Sequence, residues 1–414
     1  MSHSMDSLKF SSSQKFDVSI IGCGPIGALM ALTVAHKCRQ KQTPPIKIAL
    51  LDQTPFETLL NPTNDGRTFA CTFATHELLQ KLGVWTFLEE VSTPILDIFV
   101  SDGKDQTGVH YSHQTLGTPF GYIVESSNLR RAIFSKIMDF PEINILCPSK
   151  LETIQTCAST LEMHLSEGRT LTTRLLIGAD GRYSKVRTLS HLEAFELPYM
   201  QRALVCHFSH KYPHRGWAIE AFYPEGPFAV LPLKGDDLNP YQSGLVWTDT
   251  PQRIHELSEL SEGDFNHALS LKLDLDRYGE PHLLSKRWVY PLSALSVPTI
   301  IKPRIALLGD AAHGIHPVAG QGLNLGIRDI ETLSEGVSCA LSCGLDPGSL
   351  IVLDPFQRAR RMDILSLLSV THGLIKLFSN DSKILRGLRR TGLSFVNSCP
   401  PLKKFFITHA MGKT

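Results

Sequence analysis

The sequence predicts an α/β protein with a second, β-rich sheet and a helical end, and three observations carry that prediction. An apolar run, Phe16 to Ile21, enters the turn Gly22-Cys23-Gly24-Pro25-Ile26-Gly27, and helix-forming residues Ala28 to His36 follow. From Arg202 to Thr248 the texture changes to short strands punctuated by prolines and aromatics. After Asp329 the apolar residues recur with helical spacing.

The first pattern is completed by Ile46 to Leu51, a second apolar run that ends in Asp52. Strand, G-x-G-x-x-G, helix, strand and acid together make the Rossmann-like dinucleotide-binding unit. Gly22 permits the tight turn, Gly24 lets a pyrophosphate approach the backbone, and Gly27 lets helix and strand pack closely. Asp52 can hold a ribose hydroxyl pair, and an acid there argues against a bound 2′-phosphate. The insert from Arg39 to Pro45 lengthens the connection and explains the late position of the acid.

Two further strand ends repeat the theme. Arg174 to Ile177 runs into Gly178-Ala179-Asp180-Gly181, either a second nucleotide contact or a simple Asp-Gly turn. Ile305 to Leu308 runs into Gly309-Asp310, then His313, His316, Pro317, Gly320, Gln321, Gly322, Asn324 and Gly326, before a helical pattern opens. So many glycines bring backbone, not side chains, against a large flat ligand, with a helix N-terminus ready for negative charge, or else they make an ordinary glycine-rich strand-to-helix turn. His313 and His316 are candidates for chemistry by proximity, or else they shape the loop. Arg67, in Asp65-Gly66-Arg67, either reaches a bound phosphate or a flavin edge or makes a surface ion pair.

The remaining elements follow from periodicity. A helix is expected near Thr75 to Leu82, and Ile95 to Ser101 with Gly108 to Ser112 reads as a hairpin. Ser127 to Phe140 reads as a helix capped by Ser126, Ser127 or Asn128. Short strands are expected at Leu151 to Cys157 and Leu161 to Leu165. In the β-rich stretch they fall at Ala203 to His207, Trp217 to Tyr223, Phe228 to Pro232 and Gly244 to Trp247. A helix over Ser261 to Leu273 and a strand over Arg287 to Pro291 come next, then helices over Ile330 to Cys343 and Pro355 to Phe378.

Composition narrows the function. At 414 residues, with 42% hydrophobic and 20% charged residues, the chain can build two cores. A net charge of +1 gives no reason to expect nucleic acid. Met1 to Lys15 is polar and Ser-rich, which reads as a disordered leader rather than a secretory signal. No run is long and apolar enough to span a membrane. The nine cysteines are scattered, without a Cys-x-x-Cys pair or a metal-ligand cluster, and read as reduced thiols. From Lys376 onward there are eight Lys or Arg and one acid, Asp381. That basic, amphipathic tail suits an anionic membrane surface or an acidic partner, or else packs on the core with a solvated face.

The three motifs in this order resemble the single-component flavoprotein hydroxylases built like para-hydroxybenzoate hydroxylase. Within that group the fourteen residues His316 to Asp329 (HPVAGQGLNLGIRD) are similar to the signature of the ubiquinone-biosynthesis hydroxylases. Asp65-Gly66-Arg67, Leu82-Gly83-Val84-Trp85, Gly226-Pro227 with Leu231-Pro232, Leu245-Val246-Trp247 and Tyr290-Pro291-Leu292 look like the UbiH branch, the 2-octaprenyl-6-methoxyphenol hydroxylases.

The resemblance implies a discontinuous FAD-binding domain (residues 14–92, 120–196 and 303–340) and a substrate domain (residues 93–119 and 197–302). Residues 341–414 would then be a helical C-terminal region with the basic tail. Gly22, Gly24 and Gly27 would take the FAD pyrophosphate and Asp52 the adenosine ribose, where the family more often has Glu. Arg67 and Arg130 would contact FAD from enclosing loops. Asp180 would help close the nicotinamide-and-flavin side, and Gly309-Asp310 would meet the ribityl chain. The amides of Gly322, Leu323 and Asn324 would favour negative charge on the reduced flavin. Pro317, with Gly320, Gln321 and Gly322, would face the isoalloxazine. Phe356 stands where relatives often carry Tyr, in a Leu353-x-x-Phe356-x-x-x-Arg360 pattern, and packing is expected there.

The implied activity is insertion of one atom of O2 into an electron-rich ring carbon of a polyprenylated phenol. NAD(P)H or a ferredoxin-type protein would donate electrons. Other ubiquinone-biosynthesis proteins are implied partners, at a cytoplasmic location with peripheral contact on the inner membrane. A sister enzyme for another ring position, a flavin reductase of the same fold, or a non-catalytic flavin-binding subunit would carry the same motifs.

Overall fold

The computed structural model describes residues 14–103, 108–115 and 117–378. Of the expected leader Met1 to Lys15, Gln14 and Lys15 open the first strand; the rest of it, most of the hairpin loop and the basic tail beyond Phe378 lie outside the described residues. Five parallel strands form the centre of the first sheet, in the order Ile305–Leu307, Thr170–Gly178, Gln14–Ile21, Ile48–Leu51 and Ile143–Leu146. All four residues of Ile48–Leu51 are buried, as expected of a parallel strand covered on both faces. Helix Pro25–Gln40 is the most enclosed, buried continuously from Gly27 to Ala35 between the sheet and the helices Gly322–Ser342 and Ser126–Ile137. Leu151–Thr156 and Leu161–Leu165 extend the sheet as an antiparallel meander.

The second sheet runs in the order His313–Gly314, Trp288–Ser296, Phe195–Ser209, Tyr241–Asp249, Gly226–Lys234, Trp217–Tyr223, Asp97–Asp102, Gly108–Ser112. Its two faces differ, as the period of two in a strand requires. Leu204, Cys206, Phe208, Phe228, Val230, Leu245 and Trp247 pack against Ile254, Leu257, Phe265, Leu269 and Tyr278 of a small helical layer. The alternate residues, Ala203, Val205, Ala229, Leu231 and Val246, look the other way into a cavity. The expected hairpin forms between Asp97–Asp102 and Gly108–Ser112, while Ile95 ends a separate strand, Thr93–Ile95, that pairs with Gly121–Glu125 in a third sheet.

Four expectations need correction. Strand Phe195–Ser209 begins well before Ala203, because its first half is exposed and carries Pro198, so no alternation marks it. Helix Pro251–Glu259 precedes the expected Ser261 helix; Thr250 caps it and Pro251 takes its first position. Helix Ser126–Ile137 has no side-chain cap: it follows directly from strand Gly121–Glu125, and the Ser126 N–H donates to Arg67 O at 2.9 Å. The last helix spans Leu350–Phe378, with Pro355 inside it rather than at its start. The carbonyl of Ile351 thereby loses its helical donor, on a residue 85% exposed and open to water.

One carboxylate joins these layers. Asp329, fully buried on helix Gly322–Ser342, accepts the Gly309 N–H at 3.0 Å, His313 Nε2 at 2.6 Å and Arg360 Nε at 2.7 Å. Burial alone would raise its pKa, but His313 and Arg360 outweigh that and hold the carboxyl below its usual value. Arg360 is itself buried; it also binds Asp363 and donates to Leu325 O at 3.3 Å. Replacing Asp329 with alanine strands a buried guanidinium, so unfolding stability should fall by about 3–5 kcal/mol. Urea unfolding of the variant measures this, and a loss below about 1 kcal/mol would contradict the network's role.

Candidate functional site

The parallel strands end level with one another. Leu51 pairs with Ile21, Ile21 with Gly178, and Gly178 with Leu307. The residues that follow, Asp52, Gly22, Ala179-Asp180 and Gly309-Asp310, therefore collect along one edge of the sheet. That edge is where open α/β sheets bind ligands. All three sequence motifs converge there.

The glycine-rich turn has the geometry of a phosphate cradle. Gly22 has φ +108°, and a Cβ on it would stand 2.3 Å from Ala179 O. A Cβ on Gly27 would stand 1.9 Å from Gly22 O, so the helix can start this close to the strand only with glycine. A Cβ on Gly24 would meet nothing within 4 Å, which leaves the turn open on its outer side. Asp52 stabilises the turn: its Oδ2 accepts the Cys23 N–H and its Oδ1 the Thr54 N–H, each at 2.8 Å. Arg130 reaches the turn from helix Ser126–Ile137, close enough to act on the Cys23 thiol electrostatically. Its Nε is buried without a partner. An orphaned buried donor beside an open glycine turn fits an anionic ligand such as a pyrophosphate.

The other site residues divide between binding and framework. The Asp180 carboxylate is committed to the helix after it, accepting Ser184 Oγ at 2.5 Å and the N–H groups of Lys185 at 2.6 Å and Val186 at 3.1 Å. Burial pushes that carboxyl up, against the pull of these donors. Arg67 pairs with Asp65 at 2.6 Å, which is the ion-pair alternative, while still lining the cavity. Asp310 is exposed and lines the cavity.

The loop after Asp310 is held from behind. His313 is buried on Asp329, and His316 is fully buried with Nδ1 accepting the Val318 N–H at 3.2 Å. Burial drives the His316 pKa down to about 4, which keeps the ring neutral. Both histidines shape the loop. Asn324 is buried and ties the helix start to the neighbouring strand: its Oδ1 accepts Thr72 N–H and Thr75 Oγ1, and its Nδ2 donates to Ala70 O. Its side chain is thereby spent on structure. The backbone N–H groups of Gly322, Leu323 and Asn324 occupy the first helical turn, where no intrahelical acceptor exists. Phe356 packs in the core.

Pro317, Gly320, Gln321, Gly322 and Leu323 form one wall of a cavity of about 570 Å³. The facing wall is the aliphatic side of the second sheet, and Ile95, Ile98 and Phe120 close one flank. Two polar residues on the sheet wall escaped the sequence reading. They are Glu220, and Thr248, whose buried hydroxyl has no partner. The period-two alternation Ala218-Glu220-Phe222 was the available signal for Glu220, and nothing comparable marked Thr248. The structure also brings Cys23 and Cys147 together across 124 residues, a pairing that spacing could not reveal.

Comparison with known proteins accords with this geometry. Residues 15–346 match a family model described as FAD binding domain. The chain is similar to ubiquinone hydroxylase UbiL of Rhodospirillum rubrum, at 37% identity over 96% of this chain and 89% of that protein. It is also similar to the mitochondrial ubiquinone biosynthesis monooxygenase COQ6 of Schizosaccharomyces pombe, at 29% identity over 95% and 91% of the two chains. The 3-demethoxyubiquinol 3-hydroxylase of Escherichia coli aligns at 28% identity over 96% and 99%. Among solved structures, p-nitrophenol 4-monooxygenase PnpA from Pseudomonas putida superposes with a TM-score of 0.76 at 17% identity, covering 96% and 98%. The probable FAD-dependent monooxygenase pqsL from Pseudomonas aeruginosa gives 0.73 at 21% identity, covering 93% and 100%. At these identities the structural likeness is one of fold, the para-hydroxybenzoate hydroxylase type that the sequence resemblance implies. The chain belongs to the FAD binding domain family, in the group that holds the ubiquinone-biosynthesis hydroxylases.

Proposed function

We propose that the protein is an FAD-dependent monooxygenase that inserts one atom of O2 into the ring of a polyprenylated phenol on the route to ubiquinone. One observation carries this reading. An apolar cavity of about 570 Å³ lies between the glycine-rich loop at the start of helix Gly322–Ser342 and a wall of aliphatic side chains. Such a chamber suits an aromatic ring with a greasy substituent, held dry against a flat cofactor. The names of the sequence relatives support the same substrate class.

When bound, FAD would relay electrons from a donor and activate O2. The protein binds, orients and excludes water. Gly22, Gly24, Gly27 and Arg130 would hold the pyrophosphate, Asp52 the adenosine ribose, and Asp310 the ribityl chain. The first-turn amides of Gly322, Leu323 and Asn324 would meet negative charge on the reduced ring, as fixed dipoles that need no reorganisation. Pro317 would border the substrate side. Glu220 and Thr248 would orient the phenol hydroxyl from the opposite wall, since nearly everything around them is apolar. NAD(P)H or a ferredoxin-type protein would supply the electrons.

The tail beyond Phe378 would bring the protein to an anionic membrane surface, where a polyprenylated substrate dwells. Its excess of Lys and Arg supports this. So does the exposure of Met200, Met362, Leu365 and Val370 on neighbouring elements; the Tyr199–His372 ring contact joins those elements. No helix among the described residues is long and apolar enough to cross a membrane.

Turnover of a prenylated phenol under ¹⁸O₂ should put one heavy oxygen into the product. Cofactor oxidation without label in the phenol would favour a reductase. Removing the residues after Phe378 should lower co-sedimentation with anionic vesicles while FAD content stays unchanged. Equal sedimentation of both forms would mean that the tail serves another purpose.

A further inference from the structure

Cys23 sits in the glycine-rich turn, and Cys147 follows strand Ile143–Leu146. Their Sγ atoms are 3.6 Å apart. A disulfide bond is about 2.05 Å long, so an approach of roughly 1.5 Å separates contact from bond. The environments of the two thiols differ in the way a reactive pair requires. Cys23 is fully buried, whereas Cys147 is partly exposed and open to a small oxidant. Contact with the Cys23 sulfur lowers the pKa of Cys147 against the opposing effect of burial. The same contact, together with burial, keeps Cys23 protonated. Cys147 is thus the attacking thiol and Cys23 the resolving one.

The pair also touches the ligand machinery. The Cys23 N–H donates to Asp52 Oδ2 at 2.8 Å, and Ser149 N–H, two residues beyond Cys147, donates to Asp52 O at 2.7 Å. Drawing the two sulfurs together therefore pulls on both chain segments that hold Asp52 and the turn.

We propose that Cys23 and Cys147 form a modification site, at which a small peroxide oxidises the pair to a disulfide and the cross-link weakens FAD binding. The proposal rests on the reading that the FAD pyrophosphate and adenosine ribose lie at Gly24 and Asp52. The Cys147 thiolate attacks the peroxide, the O–O bond breaks, and a sulfenic acid and hydroxide result. The Cys23 sulfur then attacks the Cys147 sulfur, the S–O bond breaks, and the leaving hydroxide takes the Cys23 proton. Two thiols and one hydrogen peroxide give one disulfide and two waters.

The test uses the full-length holoprotein, with FAD content read from its visible absorbance. It is exposed to hydrogen peroxide, quenched with catalase and digested without reduction. A linked peptide joining residues 23 and 147 is expected, with an FAD dissociation constant raised about tenfold, the weight of roughly one charge-assisted hydrogen bond. Dithiothreitol should reverse both changes. Cys147→Ser should bind FAD as the parent does and show neither change. Absence of the linked peptide overturns the proposal, as does a linked peptide with unchanged FAD affinity, or the same loss of affinity in Cys147→Ser. Protein that holds no FAD before treatment overturns the cofactor reading, and the proposal with it.

Discussion

The buried carboxylate of Asp329 ties a strand end, a loop and the last helix together. A charge with no exposure to water is tolerated only when its partners offset the lost hydration. Here one partner comes from each part that must be held: Gly309 at the end of a parallel strand, His313 in the loop, and Arg360 on the last helix. The strand His313–Gly314 also pairs with Trp288–Ser296 of the second sheet. One side chain thus fixes the first sheet, the second sheet and the C-terminal helix around the start of helix Gly322–Ser342.

That arrangement decides where chemistry can occur. The parallel strands deliver Gly22, Asp52 and Asp310 to one edge, and the loop behind His313 and His316 presents backbone to the cavity. Gly326 serves the same end, because a Cβ on it would stand 2.5 Å from Ile26 Cδ1 of the first helix. The first turns of helices Pro25–Gln40 and Gly322–Ser342 are thereby packed together at Ile26. The second sheet then closes the chamber with the face that its helical layer does not use. Neutral His316, bonded through Val318, stiffens the loop without adding charge beside an apolar cavity.

The first βαβ unit was legible because its signals are local: a strand, three glycines at fixed spacing, a helix and an acid. The loop from Gly309 to Gly326 was legible for the same reason, and so was the doubt about its histidines. What escaped depends on distant partners. Asp180 reads equally as a ligand contact or a turn until Ser184, Lys185 and Val186 are seen on its carboxylate. Nothing local in the sequence marks the ties of the Asn324 side chain to Thr72, Thr75 and Ala70, which leave its backbone N–H free for the helix start. Strand Phe195–Ser209 hides its first half because Phe195, Leu197 and Met200 are exposed there. The contact of Cys23 with Cys147 arises only when two parallel strands flank the same acid.

The helix start at Gly322 and the glycine turn at Gly24 would hold the isoalloxazine and the pyrophosphate of one flavin dinucleotide. A crystal structure with FAD bound tests it most directly. The pyrophosphate is expected at Gly24 and Arg130, the adenosine ribose at Asp52, and the isoalloxazine against Gly320 to Leu323. In that pose the ring faces the cavity wall that bears Glu220 and Thr248. An isoalloxazine lying away from that helix start, or a pyrophosphate away from Gly24, would contradict it.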